Sequence, residues 1–256
     1  TSIRTQHPRR RDPVGDRGRA LKVSSPHRLA GRTWPEAGDA QLLVVPVGSC
    51  EQHGPHLPLD TDLRIATELC ERLVAARTDA DVGPPIAIGA SGEHESFPGT
   101  LSIGTPALEA VIVELGRSAL PPAGSSRPRP FRAVLFVNGH GGNVEALARG
   151  TALLVAEGRD VAVWHPQVPG GDSHAGRTET SMMLHLDPEA ARVDRIEPGS
   201  TARWREIGET VRAAGLAAVT SNGILGDPTT ADPAHGAEVF ATLADELRTF
   251  AARRWG

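Results

Sequence analysis

The sequence predicts an α/β domain: a three-layer α/β/α sandwich with a mostly parallel sheet between its helix layers. Three observations lead there. Apolar runs at 41–48, 131–138 and 160–164 are continuous rather than alternating, as in strands buried on both faces. These strand-like runs alternate along the chain with stretches of helical spacing, the order expected of parallel strands joined by crossover helices. At 256 residues, 39% of them apolar and 23% charged, the chain suits one large globular domain.

In chain order, residues 41–48 read as a buried strand stopped by Gly48. A helix follows Asp60-Thr61-Asp62, with Leu63, Ile65, Ala66, Leu69, Leu73 and Val74 on one side and Thr61 or Asp62 as cap. Residues 84–89 form a candidate second strand. From Thr105 a helix begins with Pro106 in its first turn, where the missing N–H costs nothing. The Pro-, Ser- and Arg-rich stretch 121–130 is a loop. Residues 131–138 are the strongest strand and run through Gly139-His140-Gly141-Gly142 into a helix over 143–157, capped by Asn143. Residues 160–164 give another strand, and 179–186 a helix stopped by Asp187-Pro188. A last amphipathic helix spans 234–253, and there is no internal repeat.

Composition narrows the function. Residues 1–32 carry nine basic and two acidic side chains, leaving 18 basic and 29 acidic in the remainder. Residues 1–35 are expected to be a disordered Arg-rich leader, with 36–256 as a single catalytic domain. An acidic body with 4% aromatic residues is a poor nucleic-acid platform. No apolar run reaches the roughly 20 residues of a membrane span, and the N-terminal residues hold no apolar signal core. Two cysteines make no disulfide framework, so a cytoplasmic protein is expected. Ten histidines, against no tyrosine, supply imidazole for metal or proton chemistry.

Polar clusters collect at the strand ends, where open α/β sheets bind ligands. In the first, Glu51 and His53 are two apart and point the same way if extended, and Asp62 at a helix start can fold back to meet them. This mixed carboxylate–imidazole set suits Zn²⁺, Mn²⁺ or Fe²⁺; its rival reading is a polar loop that caps the helix. The second holds His140 between glycines that allow close approach, followed by the N–H groups of a helix start. In the third, His174 precedes a helix as a candidate proton carrier. Glu179, in its first turn, is a ligand, an outer-shell acceptor or a dipole-compensating charge. Glu93 and His94 lie in a fourth loop, better suited to lining a site than to ligation. Together Glu51, His53, Asp62 and His140 suffice for two metals sharing a carboxylate, a site that makes hydroxide at neutral pH and polarises a carbonyl.

The joint spacing of Glu51-Gln-His53-Gly-Pro-His-Leu-Pro-Leu-Asp-Thr-Asp62, Asn138-Gly-His140-Gly-Gly-Asn143 and His174-Ala-Gly-Arg-Thr-Glu179 resembles the creatininase (creatinine amidohydrolase) family from about residue 41 onward. The resemblance implies an α/β/α metal-dependent hydrolase of small amides, in several members a hexamer. It implies two divalent ions bridged by Asp62, with Glu51 and His140 on one and His53 on the other, and His174 as the catalytic histidine. One departure stands out. Creatininase carries a ligand glutamate two residues after the histidine matching His140, and here that position is Gly142. One metal therefore lacks a carboxylate unless Glu179 supplies it.

Further motifs, Gly89-Ala-Ser-Gly-Glu-His94, Pro169-Gly-Gly-Asp172 and Gly223-Ile-Leu-Gly-Asp-Pro-Thr-Thr230, resemble the mycofactocin-system branch of the family. That likeness implies iron or zinc, with Mn²⁺ also compatible. The implied substrate is a modified precursor peptide, cut before its cross-linked Val–Tyr-derived C-terminal lactam. On this reading hydroxide attacks the amide carbonyl, N–H groups near Gly141 and Gly142 hold the oxyanion, and His174 protonates the departing nitrogen. A small cyclic amide or formamide is the alternative substrate.

Overall fold

The computed structural model describes residues 27–38, 40–122 and 124–256. Four parallel strands, β1 (Leu42–Val47), β2 (Ala80–Val82), β3 (Ala133–Asn138) and β4 (Val161–Trp164), form a sheet in the order β2-β1-β3-β4. β1 and β3 lie at its centre and run in register from Leu42↔Ala133 to Val47↔Asn138. All six residues of each are buried, as the continuous apolar runs require.

Strand alternation sends odd and even positions to opposite layers. Leu42, Val44, Leu135 and Val137 pack under α1 (Thr61–Ala75), α4 (Arg177–Leu186) and α6 (Pro233–Trp255). Leu43, Val45, Val134 and Phe136 pack under α2 (Gly104–Ala119) and α3 (Val144–Ala156). Each large apolar side chain fully buried in these layers contributes about 1.5–3 kcal/mol. The chain leaves β1 toward β2 on one side, while β3 leads to β4 on the other. A crevice therefore opens beyond the carboxyl ends of β1 and β3, the place where such sheets bind ligands.

Several expectations are corrected. Residues 84–89 do not form a strand; the second strand is Ala80–Val82. Pro84 and Pro85 have no N–H for a ladder, so only Ile86 bonds alongside β1, from its N–H to Pro46 O (2.9 Å). Neither Thr61 nor Asp62 caps α1: both lie inside it, and Asp60 occupies the cap position without a side-chain capping bond, its carboxylate accepting from Arg64 instead (2.7 Å). Asn143 stands at the start of α3, but its side chain bonds Ala90 N–H and Gly48 O instead of capping. Residues 27–35, assigned to the leader, pack against the sheet edge: Val82 N–H bonds His27 O (2.8 Å) and Arg32 grips Asp81 at 2.7 and 2.8 Å. The rest of that segment, 1–26, lies outside the described residues.

A further helix, α5 (Trp204–Ala214), was not expected from the sequence. With Leu216 and Leu225 its Val211 forms a small apolar cluster separate from the two main layers. No helix among the described residues is long and apolar enough to cross a membrane.

α4 begins two residues before the expected 179, because the Asp172 carboxylate accepts from Arg177 N–H and Thr178 N–H at its open end. Replacing Asp172 by Ala should cost about 1 kcal/mol, the usual size of a lost helix-end acceptor. Chemical denaturation would show this as a lower midpoint with unchanged slope; an unchanged midpoint would contradict it.

Candidate metal centre

Residues from β1 to the start of α1 bring Glu51, His53 and Asp62 to the crevice, and the turn after β3 brings His140. Asp62 lies between the two imidazoles: its Oδ1 is 3.0 Å from His53 Nε2 and its Oδ2 is 3.3 Å from His140 Nδ1. Ser49 Oγ donates to Oδ2 (2.7 Å) and fixes the carboxylate. His53 Nδ1–H donates to Glu51 O (3.2 Å), so Nε2 is the nitrogen that faces Asp62 and Glu179 Oε2, the latter 3.8 Å away. His140 turns Nε2 to Ala90 O (3.2 Å) and Nδ1 to Glu51 Oε2 (3.1 Å). Three of the sequence-predicted residues, His53, Asp62 and Glu179, form one group able to hold an ion.

The chemistry of the donor set favours cations. Glu51 is fully buried, and neither carboxylate oxygen has a hydrogen bond. A buried carboxylate in that condition needs a positive charge beside it. Protons supply part of that charge here. Burial opposes charge on His53, but Asp62, Glu179 and Glu51 outweigh it and push its pKa up to about 10. His140 is also held well above the ordinary imidazole value, Glu51 and Asp62 outweighing burial. Burial raises Glu179 to about 7, partly offset by His53. Asp62, by contrast, is held well below the usual range, because His53 and His140 overcome burial.

Two glycines beside His140 have definite tasks. A side chain at 139 would strike Asp62 O at 2.5 Å, so Gly139 admits the backbone of α1 rather than a ligand. At 142 a Cβ would lie 2.7 Å from Glu93 Oε1, 2.5 Å from His140 Nε2 and 2.3 Å from Ala90 O. The space beside Gly142 is thus filled by Glu93, and the third donor near His53 and Asp62 is Glu179 from α4.

His174 and His94 complete an imidazole cluster, with ring centres of His174 at 4.3 Å from His53 and 4.6 Å from His94. His94, read from sequence as a lining residue, stands with its Nε2 3.3 Å from Glu51 Oε1 and joins Glu51 and His140 in a second ligand-capable group. Burial, reinforced by His53 and His94, holds His174 well below the ordinary value. The residue after it, Ala175, has a φ of 52°, a left-handed turn that is rare outside glycine, and its N–H donates to Glu179 Oε2 (2.5 Å). One strained turn thus ties the His174 segment to the Glu179 carboxylate.

The site opens into a cleft of about 1050 Å³. Glu93, Gly141 and Gly142 line one wall; Trp204, Val211 and Arg212 of α5 and Leu225 line another. The sequence reading missed the α5 wall, although Trp204, Ile207 and Val211 recur at helical spacing.

Comparison with known proteins agrees with this geometry. The creatininase family profile, described as creatinine amidohydrolase, matches residues 30–251. A mycofactocin precursor peptide peptidase of Mycolicibacterium smegmatis is 52% identical over 225 residues, covering 84% of this chain and 87% of that protein. Among solved structures, a manganese creatininase superposes with TM-score 0.74 at 25% identity, over 90% of this chain and 99% of its own. A Zn–Zn creatininase variant superposes with TM-score 0.75 at 25% identity, over 91% and 100%.

The raised pKa values of His53 and His140 mean that both are protonated at pH 7 without metal, whereas a ligating nitrogen must be bare. Zinc titrated into weakly buffered metal-free protein at pH 7 should release about two protons per molecule, and affinity should fall as pH falls. Binding with no proton release would contradict this site.

Proposed function

From the premise that the chain belongs to the creatininase family, we propose that it is the peptidase that cuts the modified mycofactocin precursor peptide, releasing its C-terminal cross-linked Val–Tyr-derived lactam. The observation that carries the reading is a carboxylate, Asp62, with one oxygen toward each of two imidazoles at the floor of a cleft. The family hydrolyses C–N bonds, and divalent metals accompany the fold in its solved neighbours. Glu51 and His140 would hold one ion and His53 and Glu179 the other, with Asp62 shared. Iron or zinc as the metals, and a cytoplasmic homo-oligomer, belong to the proposal on the family resemblance alone.

When bound, two divalent ions lower the pKa of water and polarise the scissile carbonyl. The rest falls to the chain. His174, held neutral at rest by burial, takes the proton of the attacking water and passes it to the departing nitrogen. The proton it delivers is therefore acquired during the cycle. Gly141 and Gly142 line the cleft beside His140, where their N–H groups would meet the developing oxyanion. Trp204, Val211 and Arg212 of α5 bound one side of the cleft, against which the peptide would lie.

Mass spectrometry of the modified precursor after incubation with metal-loaded protein should show metal-dependent loss of the C-terminal fragment, absent with chelator. An intact peptide in the presence of bound metal would move the assignment to a small cyclic amide. Asp62→Ala should abolish metal uptake by elemental analysis. His174→Ala should retain metal and lose at least about 100-fold in kcat; full activity would overturn its role.

A further inference from the structure

Gln52 lies between Glu51 and His53 in the chain, and its carboxamide reaches the outer imidazoles, His94 and His174. Its side chain is buried, and its carboxamide meets four polar neighbours. Gly54 N–H donates to Oε1 (2.9 Å), and Nε2 donates to Gly223 O (3.0 Å). These two backbone groups, one donor and one acceptor, fix which end of the amide is nitrogen. Nε2 is also 3.0 Å from His94 Nδ1 and 3.1 Å from His174 Nε2.

We propose that Gln52 is a positioning residue that sets the proton pattern of His94 and His174 together and turns the Nδ1 lone pair of His174 toward the reaction. The donors and acceptors allow one arrangement. His174 Nε2 is 2.9 Å from the carbonyl oxygen of Gln52, which only accepts, so that nitrogen carries a proton. An amide N–H cannot donate to a nitrogen that is itself a donor. With one amide proton committed to Gly223 O, the other goes to His94 Nδ1, which must be bare. His94 then carries its proton on Nε2, the nitrogen facing Glu51. His174 keeps Nδ1 for the site, 3.7 Å from Glu51 Oε1.

The segment after α5 supports this device. Gly223 has a φ of +80°, and a Cβ there would lie 1.9 Å from Gln52 Oε1, so only glycine admits the carboxamide. Two residues on, Leu225 pairs with the His174 backbone: His174 N–H bonds Leu225 O (3.2 Å) and Leu225 N–H bonds His174 O (2.9 Å). One short strap thus holds the imidazole bearer by its main chain and, through Gln52, by its ring. This gives a task to the Gly223-Ile-Leu-Gly226 motif, which the metal centre leaves unused.

The assignment rests on His174 as the proton carrier, but its test needs no substrate. In zinc-loaded full-length protein labelled with ¹⁵N-histidine, long-range ¹H–¹⁵N correlation reads which ring nitrogens are protonated. Both His94 and His174 should show a protonated Nε2 and a bare Nδ1. In Gln52→Glu the carboxylate accepts where the amide donates, so the His94 proton should move to Nδ1. In Gln52→Leu, kcat on the modified peptide should fall by about 10- to 100-fold with KM and zinc content little changed. A bare Nε2 on His174 in the unaltered protein would overturn the proposal whatever the peptidase assay shows. So would an unchanged His94 pattern in Gln52→Glu.

Discussion

Glu51 sits in the interior with no hydrogen bond to either oxygen, and Asp62 lies beside it, equally buried. Two carboxylates removed from water and facing the same His140 nitrogen repel and lose their solvation, and the fold offsets this by placing positive charge beside them. Four imidazoles converge there, and the two nearest, His53 and His140, hold their protons tightly for that reason. The same need suits the pocket to a divalent ion, which supplies in one atom the charge that protons supply in two. Stability and function therefore meet in one requirement, and the acid groups that the metal needs are those the folded chain can least leave uncompensated.

The sheet makes this concentration of charge affordable by rigidity. β1 and β3 are buried on both faces and paired along their whole length, so the loops leaving their ends start from fixed points. α1 begins against Gly139, which sets the depth of Asp62, while α4, in the same helix layer, is anchored by Asp172 and delivers Glu179. Elements from one face of the sheet bring Asp62 and Glu179; the β3 turn brings His140. α5 and the strap after it belong to neither main apolar layer, and they form the outer wall.

Much of this was legible in the sequence, for physical reasons that differ by element. The central strands announced themselves because double-sided burial demands unbroken apolar runs. Glu51, His53, Asp62 and His140 were legible because strand ends and helix starts are where such sheets place ligands. β2 was not, since three residues of mixed character, Ala80-Asp81-Val82, carry no period, and the nearby Pro-Pro-Ile-Ala-Ile run mimicked a strand while lacking the N–H groups to be one. Helix starts were misread where tertiary bonds took the expected cap, as with Asn143. The partnership of Glu93 with Gly142, and of Gln52 with Gly223, joins residues 49 and 171 positions apart, and no local pattern encodes such contacts.

On the proposed reading Asp62 is shared between two ions, and Glu179 supplies the second ion's other carboxylate. Anomalous diffraction from crystals of the metal-loaded protein tests it most directly. The account predicts two peaks about 3.5–4 Å apart, one among Glu51, His140 and Asp62 and the other among His53, Asp62 and Glu179. A single peak, or a second one held by His94 and His174 without Glu179, would contradict it.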